Sequence, residues 1–163
     1  MGMKSLSTTC TAVLSLTMLA VPLAQAEEAD PKATYKEAVE PICKANTEAN
    51  KRILKNVKKE VREGKLKLAG RQFGKAGAAL NRAHAELAAV PKPAEYTAKL
   101  TKWLSLVGAE VTLFKKAGSQ LKAENKIAAQ ATVIRLQRNA NQANNQVIVF
   151  EFHYCRFDTS KFT

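Results

Sequence analysis

The chain has 163 residues, which is enough for one domain, and its 26 basic and 14 acidic side chains give a formal net charge of +12. A hydrophobic content of 46% excludes intrinsic disorder, seven glycines exclude collagen, and three cysteines exclude a disulfide-dense miniprotein. Aromatic residues make up only 6% of the chain, while alanine, lysine and leucine are frequent, so the composition favours helix over sheet.

The first 26 residues have the organisation of a secretory signal peptide. Lys4 precedes an apolar run over residues 12–21, and Pro22 then leads to the small-residue cleavage motif Ala24-Gln25-Ala26. The apolar run is shorter than the roughly 20 residues that span a bilayer. We expect export, cleavage after Ala26 and no transmembrane helix. The alternative is an uncleaved N-terminal anchor, which Pro22 and the small residues after it disfavour.

Cleavage would leave residues 27–163 as a single helical domain. All three methionines and one cysteine would be lost with the signal, so only Cys43 and Cys155 would remain. The net charge would become +11, from 25 basic and 14 acidic side chains. The predicted location is therefore secreted or extracytoplasmic, in the cell envelope.

Apolar side chains recur at three- and four-residue steps along four segments of the mature chain. This spacing puts them on one face of each helix and is typical of the buried seam of a helical bundle. The first segment is less regular than the others but still forms one stripe. The segments are 39–61, 66–90, 100–121 and 129–150.

The breaks between these segments carry ordinary helix-ending signals. Gly64 is placed to end the first helix, Pro91-Lys92-Pro93 separates the second from the third, and Glu124-Asn125 is the third turn. Pro41 predicts a helix start or a kink within the first segment. We expect the last helix to end near Val149 and an extended tail to follow. Short connections make neighbours antiparallel, so the sequence predicts an all-α, up-down-up-down four-helix bundle.

The two remaining cysteines test this topology. Cys43 lies near the start of the first predicted helix and Cys155 just after the fourth, and both points fall at the same end of such a bundle. A disulfide is the expected state in an exported protein, and closing so long a loop contributes about 4–5 kcal/mol in the chain-entropy model. The alternative, a reactive or metal-binding pair, lacks a third soft ligand.

Three glycines, Gly70, Gly74 and Gly77, fall close together in the second helix. The interpretation we favour is close helix packing, because glycine lets two backbones approach. The alternative is a ligand groove or hinge. A membrane packing motif is excluded because Arg71 and Lys75 lie within the stretch.

Several short motifs are distributed along the helical segments. They are Tyr35 and Ala38, Ile42-Cys43-Lys44-Ala45-Asn46, Val90-Pro91-Lys92-Pro93-Ala94, Ala117-Gly118, Ala140, Ala143-Asn144 and Cys155. Through these residues the chain resembles, over residues 33–157, a broad, largely uncharacterised group of small secreted helical proteins found mainly in actinobacteria. The resemblance implies a secreted helical bundle with paired cysteines and no particular activity, cofactor or catalytic residue. The present chain is more basic than that group, and it lacks a glycine turn before the last cysteine.

Sequence motifs of enzymes are absent from the chain. It has no glycine-rich phosphate loop, no H-E-x-x-H, no G-x-S-x-G and no C-x-x-C-H, so we predict a non-enzymatic protein without a cofactor. His84 and His153, with Glu40 or Glu86, form a weak alternative metal site. The main interpretation of the aromatic side chains is packing, and the alternative is an apolar ligand slot. These aromatic residues are Trp103, Phe150, Phe152, Tyr154 and Phe157.

Basic residues concentrate around two predicted turns, those between helices 1 and 2 and between helices 3 and 4. An up-down bundle places both turns at one end, which we call the lysine-rich pole, whereas most acidic residues fall toward the other end. Lysines near helix C-termini also complement the helix dipoles and keep a protein soluble, which is the simpler explanation. The pole comprises Lys55, Lys58, Lys59, Arg62, Lys65, Lys67, Arg71, Lys115, Lys116 and Lys122.

The sequence therefore predicts an exported, non-enzymatic binding or envelope-associated module. Its lysine-rich pole would adhere to an anionic polymer or a membrane surface by point-charge attraction. Sequence-specific nucleic-acid binding is not expected, because no aromatic side chains interleave with the basic ones. The alternatives are a structural or protein-interaction bundle without a polyanion role, whose partner the sequence does not indicate, and a small-molecule or metal carrier.

Overall fold

The computed structural model describes residues 30–158, and this part of the chain is an all-α bundle without strands. The predicted signal peptide and its cleavage site lie outside the described residues. Short 3₁₀ turns at Ala94–Tyr96 and Ile148–Phe150 accompany the α-helices. The helices are α1 (Pro31–Ile53), α2 (Val57–Arg62), α3 (Leu66–Ala89), α4 (Thr97–Lys122) and α5 (Lys126–Gln146).

The first helix differs from the sequence-based expectation in two ways. It begins at Pro31, not at Pro41, because Asp30 caps it by accepting a hydrogen bond from the Lys32 amide at 3.0 Å, and Pro31 has the fixed φ of a first helical residue. It also breaks after Ile53, and α2 forms a separate short helix. No glycine or proline marks this break, which turns Val57 toward the core.

The two turns at the lysine-rich pole close in the same way. After α2, the Lys65 amide donates to the Glu60 carbonyl at 2.8 Å and Gly64 takes φ +75°, so Gly64 ends the helix as predicted. After α4, the Asn125 amide donates to the Gln120 carbonyl at 2.9 Å, and Glu124 takes the corresponding position at φ 60°. The predicted third turn at Glu124-Asn125 is therefore confirmed, as is the Pro91-Lys92-Pro93 break before α4.

The long helices pack in sequence order as an antiparallel bundle. The helix α4 lies between α3 and α5 and packs extensively on both, while α1 packs mainly on α3. The core runs along α4, and Trp103 and Phe114 are among its largest fully buried side chains. Burial of such apolar faces is the main force that holds helices of this length together.

Close backbone approach, as predicted from the glycines, occurs where α3 crosses α4 near the pole. A Cβ atom on Gly70 would lie 2.6 Å from the Gly118 carbonyl oxygen, and one on Gly77 would lie 3.1 Å from Phe114 Cβ. Gly74 does not follow this explanation, because a Cβ there would meet nothing within 4 Å. Helix packing therefore accounts for Gly70 and Gly77 but not for Gly74.

The predicted disulfide joins Cys43 to Cys155, with the two Cα atoms 5.0 Å apart. Because α1 begins well before Pro41, the bond lies near the middle of α1. The predicted extended tail begins three residues early, since α5 ends at Gln146 and a 3₁₀ turn follows. The segment 147–158, which we call the tail, then runs back along the bundle between α1 and α5.

Aromatic contacts trace the course of the tail. Phe150 stacks on Phe152 with ring centroids 5.1 Å apart, Phe152 contacts Trp103 at 5.7 Å, and Phe157 reaches Phe114 at 6.1 Å. Phe150 and Phe152 are buried, and Phe157 is half-buried. Phe150 and Phe152 therefore pack in the core as expected, and the tail fills the space between α1 and α5.

Candidate functional site

The two turns that carry the lysine-rich pole meet in space, and Lys55 also lines a cavity beside α1. Lys67 at the start of α3 lies 3.5 Å from the Glu124 carboxylate in the turn after α4. The close contact of Gly70 with Gly118 holds the same two helices together just above these turns. All ten residues assigned to the pole from the sequence are exposed.

Acidic side chains neutralise part of this surface. Glu63 pairs with Lys59 at 3.8 Å and with Lys65 at 2.8 Å, and Glu124 pairs with Lys67. The hydrogen bond to Glu63 raises the pKa of Lys65 above its ordinary value. Ion pairs this exposed contribute little to stability. Because these two carboxylates are outnumbered by the ten basic residues of the pole, the pole stays strongly cationic.

Glu60 faces inward from α2 and is buried. Its Oε1 accepts a hydrogen bond from Gln72 Nε2 on α3 at 2.9 Å. This contact ties the short helix α2, which carries Lys58, Lys59 and Arg62, to the rest of the bundle. The basic side chains of α2 are thereby presented on a fixed helix and not on a loose loop.

Two apolar side chains lie exposed among the lysines. Ile127 is the second residue of α5, beside Lys126, and is 84% exposed, and Leu68 is the third residue of α3, beside Lys67, and is 36% exposed. Neither was predicted from the sequence, because apolar residues were sought only on the buried seams. Ile127 lies two residues before Ala129, so it does not fit the three- and four-residue spacing of the buried seam. This mismatch was the signal in the sequence that Ile127 is exposed.

The predicted metal alternative gains no support from the geometry. His84 Nε2 lies 3.0 Å from the Leu104 carbonyl, and Glu40 accepts hydrogen bonds from the backbone amides of His153 and Tyr154. Across residues 30–158, no three His, Cys, Asp or Glu side chains come together as metal ligands do. Glu40 instead fixes the tail against α1.

A second site is a cavity of about 510 Å³ between α1, α3, α4 and the tail. Trp103, Tyr154 and Phe157 line it, and it corresponds to the apolar ligand slot that was the alternative interpretation of the aromatic residues. Its walls are mostly apolar, with Leu80 and Leu87 from α3 and Trp103 and Phe114 from α4, and the disulfide lies on one side. A pocket of this size and lining is typical of small-molecule sites.

Glu110 on α4 lines this cavity and is only 2% exposed. Asn139 Nδ2 donates to its Oε1 at 3.4 Å, but burial dominates and raises the pKa of Glu110 to about 8. The carboxyl group is therefore protonated at neutral pH. The sequence did contain a signal, because Glu110 continues a second stripe on α4 at three- and four-residue steps through Trp103, Val107 and Phe114.

Two properties of the chain bear on its location. Within residues 30–158, no helix combines the length and the apolar character that crossing a membrane requires. The disulfide is compatible with an extracytoplasmic compartment, where such bonds form and persist.

No family model, curated protein or solved structure matches this chain. Inference about its role therefore rests on two sites, the lysine-rich pole and the cavity beneath the tail.

Proposed function

We propose that this protein is an exported, non-enzymatic binding module whose lysine-rich pole adheres to anionic lipid membrane surfaces. The observation that carries the proposal is the exposure of Ile127 among the lysines. Positive charge alone would suit any polyanion, whereas an isoleucine held in water at the tip of a cationic surface has a use at a lipid interface. There it can enter the acyl boundary while the lysines bind head groups.

The arrangement of charge supports this function. Ten exposed cations surround two turns that touch, and they face two paired carboxylates, Glu63 and Glu124. Each lysine close to an anionic bilayer contributes about 1 kcal/mol, so several acting together give useful affinity without a specific lipid pocket. The predominance of lysine over arginine fits this diffuse attraction, since bidentate phosphate recognition would call for arginine.

The predicted signal peptide would direct this surface outside the cytoplasm, and the disulfide accords with that location. The acceptor would therefore be the outward-facing surface of a membrane. An anionic wall polymer would attract the same lysines but offers no apolar phase for Ile127 or Leu68. Binding to a polymer is for this reason an outcome that the test must distinguish.

The experiment measures co-sedimentation of the purified protein with phosphatidylglycerol-containing vesicles, with phosphatidylcholine vesicles as the uncharged control. We expect binding to the anionic vesicles only, and we expect it to weaken steeply as salt is raised, because salt screens exposed charges. Soluble dextran sulfate added in competition distinguishes the acceptors. Complete displacement at equal charge concentration would assign the pole to anionic polymers instead.

Two matched triple variants separate the pole from net charge. Arg62→Glu, Lys116→Glu and Lys122→Glu reverse three exposed pole residues, while Arg82→Glu, Lys99→Glu and Lys102→Glu reverse three exposed residues at the opposite end. Both sets lower the formal net charge from +12 to +6. We expect the pole set to weaken vesicle binding at least about tenfold more than the control set. Equal losses would show that net charge alone acts.

A further inference from the structure

The cavity beneath the tail has the properties of a binding site for a small molecule. It is open on one side, it has a volume of about 510 Å³, and apolar side chains such as Leu80, Leu87 and Trp103 form its inner wall. It lies beside the tail and along α1, and one residue of the lysine-rich pole, Lys55, also lines it. Binding inside this cavity does not require the membrane adhesion proposed above.

Two polar groups with buried atoms in the lining, Glu110 and Asn50, could bind the polar part of a ligand. Glu110 presents a buried carboxyl group from α4, and only its Oε1 receives the Asn139 hydrogen bond. Asn50 lies on the α1 wall, where its Nδ2 donates to Asn46 Oδ1 at 3.2 Å. Asn50 Oδ1 is buried and has no hydrogen-bond partner among the described residues. An unpaired buried polar atom costs free energy that a bound ligand can recover.

We propose that this cavity binds an uncharged single-chain amphiphile, whose apolar body lies along Trp103 and Phe114 and whose hydroxyl-type head group accepts a hydrogen bond from Glu110. The same head group, or a second hydroxyl, would donate to Asn50 Oδ1. An alkane of the same length would leave Asn50 Oδ1 unpaired and would offer no acceptor to the Glu110 carboxyl group.

The protonation of Glu110 and the other titratable groups in the lining favour an uncharged ligand. Burial raises the pKa of Glu110 to about 8, so below that pH the carboxyl group acts as a donor. A carboxylate ligand would add a second buried acid beside it, and an ammonium ligand would meet a lining with more basic than acidic groups. None of the titratable lining residues comes from α3 or α5. Besides Glu110 on α4 and the half-buried Tyr154, they are Lys51 of α1, Lys55 between α1 and α2, and His153, Arg156 and Asp158 of the tail.

Trp103 provides a direct readout, because it is the only tryptophan in the chain, is 2% exposed and lines the cavity. The probes are decanol, decane, decylamine and decanoate, which share one chain length and differ in the head group. At about pH 6 we expect a saturable change of Trp103 fluorescence with decanol, at a dissociation constant about tenfold below those of the other three. Absence of saturation, or a tighter complex with any of the other probes, would overturn the proposal.

The pH dependence of decanol binding tests the role of Glu110. Affinity should fall as the pH rises through about 8, because the ionised carboxylate no longer donates. Glu110→Gln keeps an N–H donor at the same place, so its affinity should stay level over that range. Affinity that rises with pH, or an identical fall in the glutamine variant, would contradict the assignment.

Two further variants keep the test independent of a single substitution. Glu110→Leu should reduce the preference of decanol over decane, because only Asn50 Oδ1 is then left to bind the hydroxyl. Ala83→Leu, which adds volume to the cavity wall, should weaken all binding about tenfold. Glu86→Gln, at an exposed position on the same helix as Ala83, is the control and should change neither. Circular dichroism confirms that each variant is folded. Unchanged decanol binding in folded Ala83→Leu would show that the probe binds elsewhere.

Discussion

The two halves of this bundle are held together in different ways. Near the lysine-rich pole, α3 and α4 meet backbone to backbone at Gly70 and Gly118, and α2 is tied to α3 through Glu60. Toward the other end, α1 and α5 make little direct contact. The space between them holds the tail, the disulfide and a cavity that Glu110 lines. The lysine-rich pole is therefore carried by tightly packed helices, whereas the cavity is formed in part by the tail, which is not a helix of the bundle.

Removal of the disulfide should have the largest effect. Cys43→Ala with Cys155→Ala should lower the free energy of unfolding by about 4–5 kcal/mol, because the unfolded chain regains a loop of more than a hundred residues. Denaturant unfolding measures this loss. Amide hydrogen exchange should show protection lost first in the tail and last in α3 and α4. A uniform loss of protection along the chain would contradict the division into two halves.

Glu110 should make the stability of the cavity half depend on pH. The folded carboxyl group holds its proton up to about pH 8, whereas the unfolded one releases it near its ordinary pKa of 4.5. The free energy of unfolding therefore falls as pH rises between these values and is unaffected by this group below and above them. Glu110→Gln should match the parent at about pH 4 and exceed it by about 4 kcal/mol at about pH 8.

Thermal or denaturant unfolding at the two pH values measures this difference. The control is Glu86→Gln, which replaces an exposed glutamate and should leave the profile unchanged. Equal stability of the parent and Glu110→Gln at both pH values would show that the Glu110 carboxyl group is not desolvated.

The glycines of α3 should respond in opposite directions. Gly70→Ala forces a Cβ against the Gly118 carbonyl and should destabilise the protein by about 2 kcal/mol. Gly74→Ala meets no neighbour and should stabilise it by about 1 kcal/mol through helix propensity. Chemical denaturation of both variants measures the pair. Destabilisation by Gly74→Ala would show that α3 is closely packed at Gly74 as well as at Gly70.

The smallest expected effect concerns the two pole turns, which share one hydrogen-bond pattern but not one residue type. Glu124→Gly should raise the free energy of unfolding by about 0.5–1 kcal/mol, because glycine adopts the left-handed conformation without steric cost and the lost pair with Lys67 is exposed. Gly64→Ala should lower it by about 1 kcal/mol. Melting temperatures of the two variants that shift in the same direction would contradict the common turn geometry.

Local signals account for what the sequence predicted correctly. Gly64, the Pro91-Lys92-Pro93 break and the regular seams each act within a few residues, and they were enough for the bundle, for the turns and hence for the pairing of Cys43 with Cys155. The Asp30-Pro31 helix start was equally local but was passed over in favour of Pro41.

The remaining features depend on long-range packing. The break after Ile53 lacks a glycine or proline, and it occurs where α2 turns Val57 inward. The return of the tail along the bundle is set by contacts such as Phe157 with Phe114, which join residues remote in sequence. The cavity follows from that return, so Glu110 could be recognised on a second stripe of α4 but not assigned to a cavity.

Membrane docking by the lysine-rich pole, as proposed, requires an exposed isoleucine as well as charge. Ile127→Ser tests this requirement most directly, with Ile148→Ser as the control, because Ile148 is 59% exposed at the other end of the bundle. Neither substitution changes the charge. We predict that Ile127→Ser weakens binding to anionic vesicles about tenfold while Ile148→Ser leaves it unchanged. Equal binding by both variants and the parent would contradict docking through Ile127.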